Sequence, residues 1–202
     1  MKMTLAIFLA IFFAASAKDF FAVAQTPATT ARAASAPAKR IYVAGVPNAA
    51  QVDEHLYRGA QPRSPGLRAL KEMGMTTIVD LRDEQKSKIE WEQKTSEALG
   101  LRFLNIPVNG WAPPSDQQVA LFLKIFRDDP QAKVFVHCQF GDDRTGVFVA
   151  TYRIAFDKYS GGEAIREMRE FGFNSSWHRD MSGYVREFPE QLESSPALAE
   201  FK

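Results

Sequence analysis

The sequence predicts an α/β fold, a sheet covered by helices on both faces. Three observations predict it. Short β-branched or apolar runs alternate with segments of helical period from about residue 55 onward. One run, Lys133-Val134-Phe135-Val136-His137, is compact, apolar and bounded by polar residues, as a buried strand requires. The segment from Thr145 to Tyr159 carries apolar residues almost all round, which places a helix at the centre of the molecule.

The chain has 202 residues, 25 Lys+Arg against 24 Asp+Glu, 46% hydrophobic residues, three His and one Cys. That length buries a real core in one domain without a staple. A single Cys excludes an internal disulfide, and so few Cys and His leave a structural zinc site short of ligands. Balanced charge argues against a nucleic-acid partner. At the N-terminus, Met1-Lys2-Met3 precedes an apolar run from Leu5 to Ala15, the pattern of a secretory signal peptide. Cleavage is expected after Ala17 or Ala24, at Ala15-Ser16-Ala17 or Ala22-Val23-Ala24. Removal of residues 1–24 leaves 23 basic and 23 acidic groups and no stable membrane insertion. No Cys follows the run to carry a lipid. The expected location is periplasmic or secreted.

Residues 25–53 begin Ala-, Thr-, Ser- and Pro-rich and read as a flexible leader, with the folded domain over 54–195 and a tail over 196–202. His55–Arg58 is a strand candidate. Ser64-Pro65-Gly66 opens a helix whose stripe of Leu67, Leu70 and Met73 ends at Gly74. Thr76–Leu81 is a β-branched strand, followed by a charged helix from Glu84 to Leu99 and a strand over Leu101–Val108. Asn109–Pro114 must be loop. Ser115 with Gln118, and Ser160 with Glu163, form capping boxes for the next helices. A last, weaker helix spans Tyr184–Leu192.

The chemistry lies between the buried strand and the buried helix, at His137-Cys138-Gln139-Phe140-Gly141-Asp142-Asp143-Arg144-Thr145-Gly146. A strand, a short Gly-containing loop and a helix start bring the amides of Gln139 to Arg144 onto one point, an anion cradle at the positive helix end. Those donors and Arg144 favour a Cys138 thiolate. Arg144 offers a planar fork for two phosphoryl oxygens, and Thr145 can donate its hydroxyl to the sulfur when it leaves.

This segment resembles the Cys-(five residues)-Arg signature of the cysteine-dependent protein tyrosine phosphatase superfamily. The resemblance extends to Leu56-Tyr57-Arg58-Gly59-Ala60-Gln61-Pro62 and Ile78-Val79-Asp80-Leu81-Arg82, as in compact bacterial dual-specificity-type phosphatases. It implies a mostly parallel sheet of four or five strands and hydrolysis through a phosphocysteine intermediate. It implies no cofactor and no metal. Rhodanese-type sulfurtransferases also use one loop Cys, but the six-position step from Cys138 to Arg144 favours the phosphatase.

Members of that superfamily usually carry an acid Asp where this chain has Asn109 and Gly110. Two residues compete for the role. Asp116 stands in the first turn of the following helix, where an Asp ordinarily serves the dipole. Asp143 stands immediately before the loop Arg, as in myotubularin-like and some bacterial phosphatases, and is the better candidate. Asp142 puts a carboxylate where lipid-directed relatives often have Lys, which disfavours polyphosphorylated substrates. His137 is read as structural support for Cys138, Asp80 and Arg82 as a possible buried ion pair, and Trp111 as a possible pocket wall. His178-Arg179-Asp180 is read as loop. The expected function is hydrolysis of phosphomonoesters on a phosphorylated protein or a small molecule. The alternatives are a phosphate-binding pseudophosphatase and a phosphoinositide or inositol-phosphate phosphatase.

Overall fold

The computed structural model describes residues 36–202. The expected signal peptide, both expected cleavage sites and the first part of the expected leader lie outside the described residues. Six strands alternate with six α-helices. In chain order these are β1 (Lys39–Arg40), β2 (Ala50–Gln51), β3 (Leu56–Ala60), α1 (Ser64–Glu72), β4 (Thr77–Arg82) and α2 (Lys86–Ala98). Then follow β5 (Arg102–Val108), α3 (Asp116–Asp128), β6 (Val134–Cys138), α4 (Asp143–Asp157), α5 (Gly161–Glu170) and α6 (Arg179–Ser194), with a closing 3-10 turn over Pro196–Phe201. The sheet order is β1-β2-β3-β6-β4-β5. Strands β3, β6, β4 and β5 are parallel, whereas β1 and β2 add antiparallel to the β3 edge. The parallel core is the α/β sheet that the sequence predicts, and two very short strands extend it.

Every residue of β4 and of β6 is buried, because helices cover both faces. Alternation along β6 sorts its side chains. Val134, Val136 and Cys138 join the large core packed by α3 to α6, while Phe135 joins the smaller core under α1 with Leu67, Leu70 and Ile78. Every residue of α4 except Asp143 and Phe156 is buried, as its all-round apolar pattern requires. Both capping boxes are present, Ser115 with Gln118 and Ser160 with Glu163.

Three boundaries differ from the sequence reading. Residues 36–53 are not a free leader: Val43, Val46, Ala49, Ala50 and Val52 are buried, and β1 and β2 cover the sheet edge. Hydrogen bonds pin the segment to the helices. The buried Arg153 donates to the carbonyls of Ala36 and Val52, and Glu167 accepts from the Ala38 amide at 2.8 Å. These small apolar residues follow no helix or strand period, so only the sheet edge that receives them reveals their role. The expected tail likewise buries Leu198 and Phe201. Helix α6 begins at Arg179, five residues ahead of the expected start, and its first turn buries Met181 in the main core.

Candidate active site

Cys138 closes β6, residues 139–142 turn, and α4 starts at Asp143. The turn depends on Gly141, whose φ is +75°. A Cβ there would stand 2.4 Å from the Gly59 carbonyl and 2.5 Å from the Ala60 amide, so no other residue fits. Its carbonyl is drawn outward by the Arg58 guanidinium at 2.6 Å and by Asn48 at 3.1 Å. Its N–H turns inward and donates to the Cys138 sulfur at 3.3 Å. Arg58 itself is wholly buried against the Phe171 ring, and burial lowers it to about 10 despite the opposing pull of Cys138. It remains a cation behind the sulfur.

A second buried group supports the strand end. His137 donates through Nδ1 to the Cys138 carbonyl at 3.1 Å, and its Nε2 lies 2.7 Å from Glu92. Burial opposes its charge, but the carboxylates of Glu92 and Asp80 prevail and raise it to about 9. A charged imidazole thus ties the end of β6 to Glu92. Asp80 and Arg82 do form the buried ion pair, at 2.7 Å, and Arg82 also reaches Glu92 at 2.7 Å. Asp80, Glu92 and His137 bring their ligand atoms close enough for a metal ion. The Arg82 guanidinium already bridges both carboxylates, so a metal would have to displace it.

Arg144 is buried and held at one end. Glu84 accepts from Nη1 at 2.8 Å and from Nη2 at 2.9 Å, and the Val108 carbonyl accepts from Nη1 at 3.2 Å. The Arg144 hydrogen bond, opposed only in part by burial, holds Glu84 down to about 2. On the opposite edge of the guanidinium, Nε and the second N–H of Nη2 make no hydrogen bond to the described residues and are left for two anionic oxygens. Glu84 went unread in the sequence. The signal for it was its place two residues past the end of β4, at the carboxyl end of a parallel strand where α/β sites gather.

These groups open into a cleft of about 600 Å³. Cys138, Gln139, Phe140, Asp142, Asp143 and Arg144 line its floor, with Asp83, Glu84, Trp111, Trp177 and His178 on its walls. Phe140, Trp111 and Trp177 are largely exposed at its rim, so Trp111 does wall the pocket. Asp142 caps α4 by accepting from the Asp143 amide at 2.8 Å. Burial first, and the Asp142 charge second, raise the Asp143 carboxyl above the ordinary range. Opposite it stands His178, with Nε2 at 3.1 Å from Asp143. Of the expected loop His178-Arg179-Asp180, His178 does lie in the loop, whereas Arg179 and Asp180 are already helical. His178 occupies the N-cap position of α6, with its ring stacked on Trp111.

Two expectations fail on geometry. Asp116 is not among the residues lining the cleft: it sits in the first turn of α3 and accepts a hydrogen bond from the Tyr184 hydroxyl at 3.1 Å. The Thr145 hydroxyl is buried but makes no hydrogen bond to the described residues, and the sulfur's donor is the Gly141 amide instead.

Comparison with known proteins agrees with this geometry. The dual specificity protein phosphatase TpbA of Pseudomonas aeruginosa is 27% identical over 133 residues, covering 65% of this chain. The chain spans only 58% of TpbA's own length in that match. The crystal structure of TpbA superposes with a TM-score of 0.63 at 23% identity, covering 78% of this chain and 97% of that one. The catalytic core of the PP-IP phosphatase Siw14 from S. cerevisiae superposes at 0.65 with 17% identity, over 79% of this chain and 97% of that one. At those identities the structures show a shared fold. A family model described as a DSP-PTPase phosphatase fused to NAD+ kinase matches residues 37–185, which includes the β1–β2 segment and the whole cradle. The chain therefore belongs to this DSP-PTPase family, within the cysteine-dependent protein tyrosine phosphatase superfamily.

Proposed function

We propose that this protein hydrolyses phosphomonoesters, phosphotyrosine foremost, through a phosphocysteine intermediate. The observation that carries the reading is the pairing of the Cys138 sulfur with the inward Gly141 amide beside an Arg144 fork whose one edge is fixed and whose other edge is open. A phosphoryl group seated on the amides at the start of α4 presents its phosphorus to that sulfur. The sulfur–phosphorus bond forms as the ester oxygen leaves, and the leaving oxygen takes a proton from Asp143. Water then attacks phosphorus, the phosphorus–sulfur bond breaks, and the water's proton returns to Asp143. Asp143 suits this role because it lines the cleft and its carboxyl is raised, whereas Asp116 does not line it. Phosphocysteine chemistry of this kind needs no metal and no organic cofactor.

Substrate class follows from the walls. Exposed Trp111, Phe140 and Trp177 offer faces to an aromatic ring, and Asp83, Glu84, Asp142 and Asp143 repel further phosphates. A variant of TpbA crystallises in complex with pTyr, in keeping with such a ring. The N-terminal Lys2, the apolar run Leu5–Ala15 and the small-residue sites at Ala17 and Ala24 support export to the periplasm or medium. N-terminal sequencing of the protein from a periplasmic fraction tests this: an N-terminus at Lys18 or Gln25 supports it, and an intact Met1 in the cytoplasm overturns it.

The activity is tested on the chain from Gln25 with p-nitrophenyl phosphate and a phosphotyrosine peptide under reducing conditions. Turnover by the parent, abolished in Cys138→Ser and strongly slowed in Asp143→Asn, supports the reading. Slowing by Asp116→Asn in place of Asp143→Asn overturns the acid assignment. No turnover on either ester overturns the phosphatase reading in favour of a phosphate-binding module.

A further inference from the structure

We infer that the acid of this site is not Asp143 alone but a pair, in which His178 at the start of α6 positions Asp143 through the contact of Nε2 with its carboxylate. The inference rests on the phosphatase reading and goes beyond it by adding a residue from a different element. Three observations carry it. Nε2 of His178 lies 3.1 Å from an Asp143 carboxylate oxygen, and both residues line the cleft that holds Cys138 and Arg144. The imidazole is clamped, with the Trp111 ring stacked at 5.1 Å and the Phe173 ring at 6.1 Å. It is also buried, and its Nδ1 has no hydrogen-bond partner among the described residues, so its one protein partner through a ring nitrogen is Asp143.

The physical need is plain. An acid must hold its proton at working pH and yet give it up in the transition state. It must also be held at a fixed distance and angle to the leaving oxygen. The clamped imidazole holds one Asp143 oxygen at 3.1 Å and leaves the other for the leaving group, and two groups this close exchange protons as one unit. Asp143 passes its proton to the leaving oxygen. The P–O bond breaks, the pair is left one proton short, and the attacking water restores that proton as the P–S bond breaks. His178 touches no reacting atom and acts through Asp143. The charged groups lining the cleft with the pair are Asp142 and Arg144 at the start of α4, Cys138 at the end of β6, and Asp83 and Glu84 beyond β4, while Arg179 and Asp180 of α6 are exposed outside it. Because the usual acid position is filled by Asn109 and Gly110, no carboxylate enters from that loop.

The test is a set of pH–rate profiles for the parent, His178→Gln, Asp143→Asn and the double variant, each on p-nitrophenyl phosphate and on a phosphotyrosine peptide. In His178→Gln, turnover of the peptide at neutral pH is expected to fall on the order of 10- to 100-fold, and the alkaline limb to move. Turnover of p-nitrophenyl phosphate, whose leaving group needs little proton, should fall less than about threefold. The double variant should match Asp143→Asn. Equal losses on both esters with an unmoved limb, or additive losses in the double variant, overturn the pair and leave His178 a packing residue. Should His178→Gln fail to fold, the ring 15N shifts of His178 in the parent and in Asp143→Asn decide the point. A ring titration that tracks the alkaline limb and changes in Asp143→Asn supports the pair, and one indifferent to Asp143 overturns it. If the parent turns over neither ester, the phosphatase reading fails, and a ring titration altered by Asp143→Asn or indifferent to it still decides whether the pair exists.

Discussion

Arg144 is where the anion site and its scaffold meet, and Glu84 decides how it is presented. With two N–H groups committed to Glu84, the guanidinium cannot swing, and its free edge is pre-aimed. Glu84→Gln keeps the shape but removes the charge and one acceptor. We expect kcat/KM on the phosphotyrosine peptide to fall about tenfold or more, with p-nitrophenyl phosphate falling in parallel because the loss is in phosphoryl binding. Since Glu84 stays ionised down to about 2, the pair contributes above the ordinary Glu range and is lost only as pH falls through that value. The acid limb of the rate profile in the parent should therefore not be Glu84. His137 runs the other way. Its value in the fold, about 9, lies above the ordinary 6.5, so its stabilisation is complete below about 6.5 and lost as pH rises through about 9. His137→Gln should cost about 1–3 kcal/mol at pH near 6 by removing one of the two cations on Glu92, Arg82 remaining on it. Urea midpoints of parent and variant should converge toward pH 10, and a constant gap would contradict the charged histidine.

At the scale of elements, the caps and the central helix have different jobs. The two capping boxes fix where α3 and α5 begin but touch no cleft residue, so Ser160→Ala should cost about 1 kcal/mol in chemical denaturation and leave turnover within twofold. The turn from β6 into α4 tolerates no such change. Gly141→Ala forces a Cβ into the Gly59 carbonyl and should abolish measurable turnover while lowering the melting temperature. Elements of strong pattern were legible in the sequence: the β4 and β6 runs, the all-round helix α4 and both boxes lie where period and cap chemistry place them. Helix α6 was legible only from Tyr184 onward. Its first turn offers a single apolar side chain, the buried Met181, and no side-chain cap, so neither period nor cap chemistry marks the start.

The whole molecule joins one large core under α3 to α6 to a smaller one under α1, with the sheet between them. The N-terminal segment closes the sheet edge at β3, where Gly59 and Arg58 support the cradle. A chain beginning at residue 54 loses that edge, the Asn48 contact to Gly141 and five buried apolar side chains. We expect it to be insoluble or far less stable than one beginning at Pro37, compared by thermal melts of the two truncations.

The sequence by itself determined the fold class, the strand-loop-helix cradle, and Cys138 and Arg144 within it, because local chemistry fixes these: a buried strand, a glycine that alone can turn, and a helix start aimed at one point. It also offered two candidate acids without ranking them by position in space. Only the tertiary structure brought His178 onto Asp143, Glu84 onto Arg144, and Arg58 and Asn48 onto the Gly141 carbonyl, and turned Asp116 toward Tyr184. Those pairs join residues 35 to 93 positions apart in sequence. No period or spacing encodes such contacts. They follow from the order in which parallel strands are laid side by side, which brings the ends of separate elements to one edge of the sheet.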